Sequence, residues 1–428
     1  MLMGCDSLRG FLLGQINQAT IDAGSTAWML ASSALVLLMV PGLALFYGGM
    51  VRQKNILATM MYSFIAMAVI GVQWIVIGYA LSFGTGVVGL FGWKPEYFAL
   101  AGLSHTALYA DKAIPELVFV MFQGKFAIIT PALISGAVAE RMKLSSFIVF
   151  IVLWSTLLYC PLAHWVWASD GWLFQFGVLD FAGGTVVHIL SGVSALVLTL
   201  MLGPRRDYPQ GVVQPNNLAM TLTGAGLLWF GWFGFNAGSA VAVESPVAGY
   251  SAGLAFATTQ TAAASAALVW MLVEWSHHGK PTSVGMASGI VAGLVAITPA
   301  AGHVMPVWAI LIGAVASLVC YAACRMKMRL AYDDSLDAFG VHGIGGLWGA
   351  LATGLFCTIP VRGLFTGGGV EQLVKQCVGV GVTIALAVVG TLVIGGLVKA
   401  TIGLRATEQQ EQDGLDITIH GERGYHLQ

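Results

Sequence analysis

Two histidines lie inside long apolar runs, His188 in "DFAGGTVVHILSG" (180–192) and His342 in "DAFGVHGIGG" (337–346). An ionisable group inside a membrane-like run is costly and marks a functional site by default. Imidazole can donate, accept or pass a proton near neutral pH, and two on facing helices can also ligate a haem iron. Three and four positions away from His188 stand Gly184, Thr185, Ser191 and Gly192. The same positions around His342 are Ala338, Phe339, Gly345 and Gly346. Faces this small contact other helices rather than lipid, so both imidazoles point into a bundle. A lone buried histidine is usually a satisfied core residue. Two in matching settings favour a shared role.

Aromatic residues recur at helical spacing. Phe122 and Phe126 share a face with Thr130, and Trp232 and Phe235 lead to Ser239. Such stripes are usually core, and Trp165, Trp167 and Trp172 in "AHWVWASDGW" fit an interfacial belt. Asp180 and Asp337 open helices, where capping is the ordinary explanation, while Glu140 and Glu274 sit at helix ends. So few buried carboxylates argue against an ion-coupled symporter. No P-loop, HExxH or nucleophile elbow is present, so an enzyme is not expected. The six cysteines form no CxxC pair and no zinc pattern; no metal and no cofactor are expected. The pathway is aromatic, apolar and marked by histidines, which suits a small substrate that sheds its charge before crossing.

The elements that must hold these residues are membrane helices. The 428 residues are 57% hydrophobic and only 9% charged, against about 25% charged in soluble domains. A net charge of −1 gives no footprint for nucleic acid. Runs of about 20 apolar residues start near Ala27, Ala58, Leu117, Ser145, Thr185, Asn217, Gly249, Gly285, Val307, Ala338 and Val378. The fold class is therefore an all-α integral membrane protein of about eleven transmembrane helices. Residues 1–24 form an extramembrane lead-in without a convincing cleavable signal. Residues 25–404 are the membrane domain and 405–428 a polar tail. Alternate gaps hold Arg52, Lys54, Arg141, Lys143, Arg205, Arg206, Lys280, Arg325, Lys327, Arg329, Lys399 and Arg405, against Lys94, Lys112, Arg362 and Lys375 in the others. The bias puts the first set in the cytoplasm, the N-terminus outside and the tail inside. The openings of the fifth and tenth runs echo each other in Asp, Phe, Gly and Val-His, and lie five helices apart. That is the pattern of an inverted five-plus-five repeat with one extra helix.

Six motifs carry a resemblance: "PGLALFYGG" (41–49), "GAVAERMK" (136–143), "DFAGGTVVH" (180–188), "GWFGFNAGSA" (231–240), "FGVHG" (339–343) and "GLDITIHGERGY" (414–425). In this order they resemble the ammonium transporter (Amt/Mep/Rh) family, most of all bacterial Amt proteins. The resemblance implies a homotrimer in the cell (inner) membrane with one pore per subunit, conducting ammonium or ammonia. It implies an outer recruitment site of Trp167, Phe126 and Ser239, with Phe122 beside it. It implies a gate of stacked Phe126 and Phe235, and a pore lined by His188 and His342 with Trp232. Phe46 and Tyr47 would lie towards its inner end. Asp180, Asp337 and Thr298 would be structural or electrostatic supports. The tail would be an ordered docking region for a PII-type signalling protein, where composition alone reads a disordered terminus. Three features depart from the pattern: Lys125 beside Phe126, one extra residue after Trp167, and the missing signal. The alternative function is an ammonium sensor signalling through the tail.

Overall fold

In the computed structural model, residues 21–109, 112–209, 214–242, 244–245 and 250–425 are described, so the expected lead-in 1–24 falls almost wholly outside the described residues. The chain forms one helical bundle. Its long helices are α1 (Ala23–Met50), α2 (Gln53–Phe83), α3 (Glu116–Val138), α4 (Leu144–Phe176), α5 (Gly184–Leu202) and α6 (Leu218–Gly238). They continue with α7 (Ala252–His278), α8 (Ser283–Ile297), α9 (Pro306–Leu330), α10 (Phe339–Phe356) and α11 (Glu371–Thr401). Among the described residues ten are long and apolar enough to cross a bilayer by length and composition; α8, at the run expected from Gly285, is shorter, with 15 residues. This is a multi-pass membrane architecture. Two small antiparallel strand pairs, Thr85–Val87 with Phe91–Trp93 and Glu244–Ser245 with Tyr250–Ser251, lie in the loops.

Local chemistry sets the helix starts. The side chains of Asp22, Asn217, Ser251 and Thr282 accept from Ser25, Met220, Leu254 and Gly285 N–H groups, each satisfying a donor that the first turn leaves free. Small residues set the crossings. A Cβ on Gly224 would lie 2.3 Å from the Phe46 nitrogen, so α1 and α6 meet backbone to backbone. A Cβ on Gly192 would lie 2.2 Å from the Gly343 nitrogen, which brings α5 and α10 equally close beside the two histidines. In lipid, where apolar side chains gain little by leaving the solvent, such close packing is what holds helices together.

π-Turns interrupt α2 at Trp74–Gly78 and α4 at Ser155–Tyr159, and open α5 at Gly184–Ile189 and α10 at Phe339–Gly343. The last two carry His188 and His342. π-Turns are uncommon and gather at functional sites.

The described part of the tail, residues 405–425, is ordered. It contains α12 (Glu408–Asp413), begun by a capping box of Thr407 and Gln410. Asp416 then accepts from the Leu57 and Ala58 N–H groups at 3.0 and 2.8 Å, capping α2 from a distant part of the chain. Leu415 donates its N–H to Asn55 at 2.8 Å, and Lys54 donates to the carbonyls of Glu411 and Gln412. Composition favoured a disordered terminus; tertiary capping overrides it.

Candidate functional site

The histidines meet where α5 crosses α10. Their Nδ1 atoms are 3.3 Å apart and their rings lie 5.3 Å apart at 19°. One Nδ1 must donate and the other accept, so at most one ring of the pair is cationic. Both side chains are buried. Trp232 stacks on His188 at 5.5 Å and 19°, and its indole N–H donates to Thr298 Oγ1 at 2.9 Å. The Thr298 hydroxyl in turn donates to the Leu294 carbonyl at 2.8 Å. Thr298 thus fixes the ring that fixes His188.

Around the pair lies a narrow cavity. Met39, Leu43 and Phe46 of α1 line it with Ile129 and Leu133 of α3. Leu228, Trp232 and Phe235 of α6 and Val291 of α8 complete an apolar wall. The space open to the centre of a water-sized molecule is about 10 Å³, roughly room for one such molecule. At one end, Phe126 and Phe235 stack at 4.1 Å and 28°. Trp167 meets Phe126 edge-on at 6.0 Å and 88°, and Phe122 packs against Phe126 at 4.9 Å. A Cβ on Gly238 would strike Phe122 at 2.7 Å, which seats Phe122 beside the turn ending in Ser239. The Ser239 hydroxyl donates to the Phe235 carbonyl at 2.9 Å, leaving its lone pairs free to accept.

Asp180 supports this arrangement from outside the wall. Its carboxylate accepts from the N–H groups of Gly183, Gly184, Thr185 and Val186 and from the Thr185 hydroxyl. Its carbonyl accepts from the Trp167 indole at 2.9 Å. One residue therefore starts the π-turn that presents His188 and orients the outermost aromatic ring.

Two sequence expectations need correction. Asp337 is not the counterpart of Asp180 in capping. Its backbone takes φ +59, and its carboxylate pairs with Lys327 at 2.6 Å. The cap on α10 is Asp334, which accepts from the Ala338 and Phe339 N–H groups at 3.0 and 2.8 Å. The spacing held the signal: Asp334 precedes His342 by the same interval that separates Asp180 from His188. Tyr47 is not among the residues lining the passage. Its hydroxyl donates to the Leu133 carbonyl at 3.1 Å and its ring packs on Gly136. Phe46 lines the cavity, and its neighbour Tyr47, turned about 100° from it, reaches the α3 backbone instead. Lys125 is likewise turned from the aromatic face. It is half-buried on the side of α3 that carries exposed Met121, away from the buried Phe122 and Phe126.

Sequence reasoning also missed an ion network beneath the histidine-bearing helices. Arg205 donates to both Asp333 oxygens and to Glu140, each at 2.8 Å. Glu140 also accepts from the Arg52 N–H and the Asn55 amide, and Arg141 donates to the Asp333 carbonyl. Burial alone would raise the Glu140 and Asp333 carboxyls, but their bonds to Arg205 outweigh it and hold both below the usual carboxylate range. Nothing in local sequence links residues so far apart.

The bundle of apolar helices, with a narrow, aromatic-capped cavity at its centre, defines a polytopic membrane protein. A sequence profile of the Ammonium Transporter Family matches residues 27–425, and the chain belongs to that family. It is similar to an ammonium transporter of Bacillus subtilis, 48% identical over 413 residues that cover 95% of this chain and 99% of the relative. Among solved structures, Saccharomyces cerevisiae Mep2 matches with a TM-score of 0.82 at 35% identity, covering 91% of this chain and 89% of that one. A sensor Amt protein matches with a TM-score of 0.84 at 29% identity, covering 92% of this chain and 98% of that one.

Proposed function

We propose that this chain is an ammonium transporter that strips ammonium of a proton and conducts ammonia past His188 and His342. The observation that carries the reading is the passage itself. It admits about one water-sized molecule, and among the described residues its only polar side chains besides the Trp232 indole are the two imidazoles. A bare ion there would lose its hydration at a cost of several kcal/mol or more. Potassium has no proton to give up. Ammonium has one, and ammonia can then accept a hydrogen bond or donate to the ring nitrogens. The His188 Nε2 has no hydrogen-bond partner among the described residues and is available for that contact.

At the outer end, Trp167, Phe126 and Phe122 offer ring faces, each worth about 0.5–2 kcal/mol to a cation, and Ser239 offers an acceptor. Phe126 and Phe235 act as the gate. The proton released crosses by the imidazole pair, so that net transport moves charge. In this reading eleven helices span the cell (inner) membrane in an inverted five-plus-five arrangement, with the N-terminus outside and the tail in the cytoplasm. The spans are residues 25–404, and the tail, 405–428, is the docking surface for a PII-type protein. Three copies assemble, one pore in each. The paired π-turns, each preceded by a capping aspartate, support the repeat.

Current recording on proteoliposomes given an ammonium pulse tests the reading. Wild type gives a transient current that potassium does not, and His188→Ala abolishes or reshapes it. Ammonium flux with no current at any pH refutes charge movement. Saturable binding with no flux assigns the chain to the sensing role instead.

A further inference from the structure

In the orientation proposed above, the outer end of α4 holds a histidine that the conduit does not use. His164 is fully buried, one turn before Trp167. Its Nδ1 lies 3.2 Å from the Ser82 carbonyl of α2. A carbonyl only accepts, so Nδ1 carries the proton. In the neutral ring Nε2 is then a bare acceptor, and it has no hydrogen-bond partner among the described residues. It faces Asp170, whose Oδ1 is 3.9 Å away, and Gly86, where an added Cβ would lie 3.2 Å from it. A lone pair aimed at a carboxylate gains nothing, and a buried acceptor left unmet costs stability. Protonation reverses this, because Nε2 becomes a donor and Asp170 its acceptor.

The pair is linked to the recruitment ring. Asp170 lies three residues beyond Trp167, in the turn that follows the helical segment Cys160–Trp167, and its side chain is 42% exposed to the outer solution. Its other oxygen accepts from the Gly86 N–H at 2.7 Å, which ties in the hairpin of Thr85–Val87 and Phe91–Trp93. The Trp165 indole holds the same hairpin by donating to the Leu90 carbonyl at 2.8 Å. The turn has no slack: a Cβ on Gly171 would lie 2.1 Å from the His164 carbonyl. A movement of Asp170 therefore reaches Trp167. The segments packed most closely around His164 are Tyr79–Phe83, Phe91–Trp93, Ser155–Tyr159, Trp172–Phe176 and Gly184–Ile189. They add only Tyr79, Tyr159 and His188 as titratable groups, with Cys160 one turn back on the helix itself. Tyr79 donates to Glu116, and His188 is bonded to His342. Asp170 is the charge that His164 meets.

We propose that His164 and Asp170 are positioning residues for ammonium recruitment. With His164 protonated, Nε2–H donates to Asp170, closes the 3.9 Å separation to about 2.8 Å and fixes the turn behind Trp167. With His164 neutral, the contact opens and the ring is held less firmly. Outer acidity thereby tightens recruitment without touching the imidazole pair of the conduit. The assignment rests on Trp167 as a recruitment residue.

Ammonium currents from proteoliposomes test it, with half-saturation and maximal current fitted separately at outer pH from about 5 to 8, where histidines change charge. In wild type, half-saturation falls about two- to fivefold from the alkaline to the acid end, the range of an ion pair with one partly exposed partner. Asp170→Asn keeps an acceptor for Gly86 and removes the charge. His164→Asn keeps a donor for Ser82 and removes Nε2. Each holds half-saturation at the wild-type alkaline value across the range, and the double variant goes no further. Asp170→Glu keeps the charge and retains the pH dependence, which a merely structural turn would not require. Maximal current keeps its wild-type pH profile in all of them. The proposal is overturned if wild-type half-saturation does not change with pH, or if maximal current carries the loss. If Trp167→Leu leaves half-saturation unchanged, the recruitment reading fails and this assignment with it. If Trp167→Leu raises half-saturation while Asp170→Asn and His164→Asn keep the wild-type pH dependence, this assignment alone fails.

Discussion

Replacing Gly192 by alanine places a methyl group 2.2 Å from the Gly343 nitrogen and 2.5 Å from its Cα, where real Cβ atoms do not come closer than 3.0 Å. Both neighbours are backbone, so no side chain can swing aside, and α5 must move from α10 by about 0.8 Å or more. Carried to the ring pair, that shift stretches the 3.3 Å Nδ1–Nδ1 contact to about 4.1 Å, beyond hydrogen bonding. The overpacking costs about 1–3 kcal/mol, and the lost bond about 0.5–1.5 kcal/mol more. Gly226→Ala on α6 is the matched control, because its added Cβ meets nothing within 4 Å. Helix propensity makes that change neutral to about 1 kcal/mol stabilising. Both variants are reconstituted, their ammonium currents compared at equal protein density, and their unfolding midpoints measured in one detergent. Gly192→Ala should lose most of its current and unfold at a lower temperature, while Gly226→Ala keeps both. If the two variants have the same current and the same midpoint, the close crossing does not set the histidine geometry.

Four further outcomes follow from the same structure. Trp167→Leu removes a ring face and the bond to the Asp180 carbonyl, so half-saturation by ammonium should rise about two- to thirtyfold; an unchanged concentration dependence places recruitment elsewhere. Asp334→Ala should lower stability by about 0.5–2 kcal/mol through the lost cap, and Asp337→Asn by less, since its pair with Lys327 is partly exposed; the reverse order in unfolding midpoints would restore Asp337 as the support. Asp416→Ala uncaps α2 and frees the tail, so limited trypsin digestion at Arg405 should quicken. Glu140 and Asp333 are held below the usual carboxylate range, so the stability they lend is complete above the unfolded values near pH 4 and is lost as pH falls through the folded ones; Arg205→Gln should flatten that acid loss in unfolding midpoints read across pH 2–6.

What the sequence disclosed was what repeats locally. Helical runs, small faces around His188 and His342, and aromatic stripes at one-turn spacing each follow from the composition of a single segment. The residues it hid depend on partners far along the chain. Asp334 was overlooked because Asp337 matched the local letters better, although the interval from Asp180 to His188 pointed to Asp334. Tyr47 stands beside Phe46 in the sequence, but its hydroxyl bonds the distant Leu133 carbonyl instead of meeting the cavity. The π-turns leave no simple hydropathy trace. The order of the tail depends on the start of α2, whose free N–H groups only the folded chain brings to Asp416.

The stack of Phe126 on Phe235 bears on the membrane as a whole. A continuous file of water through any pore lets protons hop along it, and a bilayer holding many such pores would discharge its own voltage. Each elementary charge moved across 100 mV carries about 2.3 kcal/mol, energy that other membrane machinery must replace. Two rings at 4.1 Å, above a space for about one molecule, interrupt such a file. In the proposed reading, a cell can therefore hold this protein at high density in an energised membrane without opening such a file.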